Sequence, residues 1–153
     1  MTVEKNKQTM LMMKLIWAGN IFSKGVYTMI AYQGYIAKGT APSNNWAMPI
    51  PFFLVVGIFS ALIGIIICRS LMGKIPSLKK LANKLVNASN QSDTASGIFG
   101  VYLMGLGAIE TAAIFGLVGF IQSANVAFYA IMMSVTVIGW MTANPFIKKQ
   151  QYI

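Results

Sequence analysis

PFFLVVGIFSALIGIIIC (Pro51–Cys68) contains no charged side chain. A hydrocarbon core about 30 Å thick needs roughly 20 apolar helical residues to cross it, and this stretch nearly supplies them alone. It also offers water no polar face. Within it, Gly57, Ser60, Ala61 and Gly64 form two small-xxx-small spacings. Such spacings let helix backbones approach closely in lipid, where burying apolar surface gives no drive to associate. The stretch is read as a membrane span over 48–68.

Three more spans follow outward from it. The first, 10–36, carries Lys14 and Lys24; the third, 95–122, is interrupted only by Glu110; the fourth, 126–143, is uncharged. Ser123-Ala124-Asn125 leaves room only for a tight hairpin between the last two. The expected fold is therefore an all-α polytopic membrane protein, with four transmembrane helices in a single domain over 1–153. Between the second and third spans, Ile75, Leu78, Leu81, Leu85 and Val86 recur at helical spacing opposite Lys79, Lys80, Asn83 and Lys84. That pattern predicts a short cytoplasmic amphipathic helix over 76–87, lying on the headgroups or in solvent.

Composition agrees. Of 153 residues, 56% are hydrophobic and 10% charged, against about 25% charged in soluble domains. This argues against a soluble enzyme, a disordered tail or a disulfide scaffold. The net charge of +9 needs no nucleic acid to explain it. Lys5, Lys7, Lys14, Arg69, Lys74, Lys79, Lys80, Lys84, Lys148 and Lys149 fall on one side of a four-span layout, and Lys38 alone on the other. By the positive-inside rule both termini and the long connection are cytoplasmic. A bacterial inner membrane fits this asymmetry and the Lys-, Asn- and Ile-rich usage. The apolar region after Lys5 and Lys7 continues too far for a cleaved signal peptide, so the first span is expected to remain.

Little reaction chemistry is available. The chain has no histidine and one cysteine, Cys68, which has no partner for a redox or zinc motif. Catalysis by this chain alone is not expected, although it suits an accessory subunit of a membrane enzyme or motor. No metal or organic cofactor is implied. Trp17, Trp46 and Trp140, with Tyr32, Tyr35 and Tyr129, are expected near the two interfaces as an aromatic belt.

Two charges stand out, Lys24 and Glu110, at nearly the same depth in spans that start on the same side. Each costs on the order of 3 kcal/mol at a helix centre if unpaired. The economical arrangement is a Lys24–Glu110 pair at a helix interface, within one subunit or between neighbours. Asn20, Lys24 and Tyr27, spaced i, i+4, i+7, mark the face turned from lipid. Glu110 has three readings: a structural ion pair, a carboxylate exchanging H⁺ or Na⁺, or a neutral acid bonded to a neighbouring helix. An ammonium stabilises the charged form of a carboxylate, which favours the first. Around Glu110, Gly100, Gly105, Ala108, Ala112 and Gly116 thin the helix for close packing, inside one bundle or between subunits.

The segment Ala108–Gly119, AIETAAIFGLVG, resembles the carboxylate-bearing helix of the rotor-ring proteolipids, the c subunits of F- and V-type ATPases. Glu110, Thr111, Ala113, Ile114, Phe115, Gly116, Leu117 and Val118 occupy the positions of that signature, and the likeness covers 108–119 only. It implies a proteolipid-like protein in a homo-oligomer or larger complex. Its Glu110 would bind the translocated H⁺ or Na⁺, and Thr111 would help to ligate Na⁺.

Overall fold

The computed structural model describes residues 3–38, 50–72, 84 and 94–146. Four long helices account for almost all of them: α1 (Val3–Lys38), α2 (Ile50–Leu71), α3 (Thr94–Ser123) and α4 (Val126–Thr142). The described residues contain no strand. The expected amphipathic helix over 76–87 lies outside the described residues, apart from an exposed Lys84, as does Trp46.

The helices alternate in direction. Gly57 lies opposite Ala112 and the Ser60 hydroxyl opposite the Ala108 carbonyl, so α2 and α3 are antiparallel. Gly119 abuts Phe128 and Gly116 abuts Met132, which sets α4 antiparallel to α3. Thr28 meets Tyr129 and Trp17 meets Trp140, making α1 antiparallel to α4 as well. Helix α3 is the hub: it packs on α1, α2 and α4, while α2 also touches α4 and α1 scarcely touches α2.

Two apolar clusters fill the centre. One joins Met13, Cys68, Leu71, Tyr102, Leu106 and Ile109; the other joins Phe53, Ala61, Ala112, Phe128 and Met132. Cys68 sits fully buried in the first, a small core side chain.

The α3–α4 hairpin is as tight as its three residues require. The Ala124 amide donates to the Phe120 carbonyl at 2.7 Å, the Ser123 hydroxyl to Gly119 at 2.7 Å, and the Phe128 amide to Asn125 Oδ1 at 3.0 Å. Asn125 is thus the N-cap of α4, satisfying an orphan amide of its first turn. The turn requires the left-handed region at Ala124, where φ is 53°.

Two segments, Pro51–Leu71 and Gly97–Ser123, are long and apolar enough to cross a membrane. Helix α4 is apolar but has 17 residues, about 25 Å of helix. Helix α1, at 36 residues, has ample length, but Asn20, Ser23, Lys24 and Thr28 dilute the apolar character of its centre. It also starts earlier than the expected span, at Val3 rather than residue 10.

Candidate functional site

Helix α1 turns one narrow seam inward. Met13, Lys24 and Ala31 are buried on it, with Trp17, Asn20 and Tyr27 half-buried between them. These positions alternate by three and four residues, the spacing of a helix lying nearly parallel to its neighbour. The seam is polar at its centre, while Leu15, Phe22, Val26 and Met29 on the other faces are exposed.

At that centre Lys24 Nζ forms an ion pair with Glu110 Oε1 of α3, within one chain. The side chains retain only 10% and 16% of their exposure, so the pair is largely shielded. Removing one partner from such a pair leaves an uncompensated buried charge. Ser23 completes the group. Its hydroxyl donates to the Asn20 carbonyl at 2.7 Å, accepts from Lys24 Nζ at 3.4 Å and lies 3.5 Å from Glu110 Oε1. One turn on, Thr28 donates to the Lys24 carbonyl at 2.8 Å and lies 3.4 Å from the Tyr129 hydroxyl of α4. The second carboxylate oxygen, Glu110 Oε2, is buried without a hydrogen-bond partner among the described residues.

Thr111 stands outside this group. Its hydroxyl donates to the Gly107 carbonyl of its own helix at 3.0 Å, the usual resting bond of a mid-helix threonine. No group of three or more His, Cys, Asp or Glu among the described residues could hold a metal ion.

The small residues divide by location. A Cβ on Gly64 would press on the Gly105 carbonyl and lie 2.9 Å from Ile109 N; one on Gly105 would lie 2.6 Å from Cys68 Sγ. A Cβ on Gly57 would press on the Met132 methyl and come within 3.4 Å of Ala112 Cα; one on Gly116 would lie 2.7 Å from Met132 Cβ. Ala61 and Ala112 are fully buried at the same seam. Ser60 donates to the Ala108 carbonyl at 3.0 Å. Gly100, by contrast, has nothing within 4 Å of the place a Cβ would take, and the same holds for Gly107.

Trp17 and Trp140 are brought together as a pair. Their rings stack at 4.3 Å with 4° between planes, and each indole N–H donates to the other's backbone carbonyl at 2.8 Å. Phe146 meets Trp17 edge-on at 5.4 Å, and Lys14 Nζ lies 5.0 Å above the Phe146 ring. A sequence signal for this clasp exists: Trp17 is seven residues before Lys24 and so shares its face, and Trp140 shares a face with Tyr129. Neither that spacing nor Ser23 and Thr28 identifies its own partner. Tyr32 and Tyr35 are exposed.

No protein-family model, curated protein or solved structure matches the chain.

Proposed function

We propose that the chain is a small integral membrane subunit of an oligomeric membrane complex, a proteolipid-like unit of four transmembrane helices locked by the Lys24–Glu110 pair. The observation that carries this reading is the inversion of the bundle. The lysine and the glutamate of the helix centres face each other inside, while large apolar side chains on every helix face outward. Fewer than half the residues of Pro51–Leu71 and of Gly97–Ser123 are buried, so the apolarity of these helices exceeds what their own core uses. Lipid is the solvent that accepts such a surface.

The shortness of α4 is compatible with a span because its end is sealed. The last carbonyls of a helix have no partner of their own, and in lipid each such group costs several kcal/mol. Here Trp17 of α1 donates to the Trp140 carbonyl and Tyr102 of α3 donates to the Ala143 carbonyl at 3.2 Å. The lysine and arginine asymmetry orients the bundle with cytoplasmic termini, as in a bacterial inner membrane. A glycine with open space around it, Gly100 on α3, leaves room for a neighbouring helix and favours assembly with further subunits. The role is structural, not catalytic. Purification in mild detergent followed by native mass measurement is expected to return an oligomer or a co-purifying partner; a lone monomer would overturn the assembly reading.

One observation favours a second reading, the exchange of H⁺ or Na⁺ at Glu110: the unpartnered Oε2 can accept a proton without breaking a bond it already makes. A dicyclohexylcarbodiimide-type reagent separates the two. Labelling of Glu110 that varies with pH or is blocked by Na⁺ supports exchange; no labelling between mild acid and neutral pH leaves the structural lock.

A further inference from the structure

Helix α1 lacks the composition of a self-sufficient span, yet its surface is that of one. The polar residues that weaken it, Asn20, Ser23 and Lys24, gather at the contact with α3. Its large outward side chains are mostly apolar, with Thr28 and Gln33 among the exceptions: Leu15, Phe22 and Met29 keep 61%, 76% and 62% of their exposure. The polar ties run to elements that follow much later in the chain, Glu110 of α3 and Tyr129 and Trp140 of α4. Helix α2, the next in sequence, scarcely touches α1 and carries no charge between Pro51 and Cys68.

We infer that α1 is a conditional span: it holds its place across the bilayer only while Glu110 of α3 takes the charge of Lys24. This rests on the four-span reading above and adds an order of events to it. Helix α2 can enter lipid by itself, whereas α1 is secured only after α3 has arrived with Glu110, 86 residues after Lys24. The stretch between α1 and α2 therefore reports on the pair, since it stays on the far side only when α1 is inserted. A lysine left alone at a helix centre shifts the insertion equilibrium by roughly a hundredfold.

The test uses the full chain in bacterial cells, with Cys68→Ala removing the native thiol and Ser43→Cys placing a new one between α1 and α2. A membrane-impermeant maleimide added outside, compared with labelling after the membranes are opened, gives the outside fraction independently of protein amount. With the pair intact, nearly all labelling is expected from outside. Glu110→Gln is expected to lower that fraction at least about tenfold, and Lys24→Leu combined with Glu110→Gln to restore it, because α1 then has no central charge to place. An undiminished outside fraction in Glu110→Gln overturns the inference, as does a double variant that stays low. If the chain with its pair intact is not labelled from outside and leaves the membrane in alkaline carbonate, the four-span reading itself falls.

Discussion

Helix α3 is held from two sides in opposite ways. Toward α2 it brings backbone close to backbone: Gly105 faces Gly64, and a single added carbon on either residue would collide. Toward α1 it extends a charged side chain into a seam of polar groups. The α2 seam depends on shape, and an added atom overpacks it. The α1 seam depends on complementary charge and does not tolerate the loss of a partner. Between them these are two ways of joining helices, one by close backbone approach and one by paired charge.

The comparison can be broken most forcefully at the charges. Lys24→Met or Glu110→Gln alone is expected to destabilise the bundle by about 3–5 kcal/mol, and the double substitution to recover much of that loss. Unfolding in detergent micelles measures it; additive losses would mean that the contact does not hold α1. On the other seam, Gly64→Ala is expected to cost about 1–3 kcal/mol by overpacking. Gly107→Ala changes the same residue type in open space and should instead gain up to about 1 kcal/mol, by removing the conformational freedom of glycine. Equal effects at the two glycines would remove the distinction between seam and surface.

Trp17→Phe sharpens the picture of the α1 side. It is expected to cost about 1 kcal/mol through the lost hydrogen bond to the Trp140 carbonyl, and to abolish the exciton band of two stacked indoles in circular dichroism. A remote change supplies the baseline. Ala124→Gly relieves the left-handed backbone of the hairpin and should gain under about 1 kcal/mol, with neither seam altered.

Much of this was legible in the sequence where local composition decides. The expected limits 95–122 and 126–143 lie within a residue of α3 and α4, because Ser123-Ala124-Asn125 is a turn and the flanking residues are apolar helix formers. The second span, expected over 48–68, is found as α2, Ile50–Leu71. The first begins seven residues earlier than expected, since a helix does not stop where its apolar part stops. The juxtaposition of Lys24 and Glu110 was legible too, because two costly charges at one depth have few arrangements. What escaped was the set of neighbours: Ser23 beside Glu110, Thr28 toward Tyr129, and two tryptophans stacked on each other.

The sequence by itself determined the four long helices among the described residues and their alternation, because these follow from hydropathy and turn chemistry. Only the tertiary structure decided that α3 is the hub, that Gly64 and Gly105 touch while Gly100 stands free, and that Trp17 caps α4. Those depend on how each helix is rotated about its axis, and rotation is set by side chains of the neighbouring helices, which no local pattern encodes.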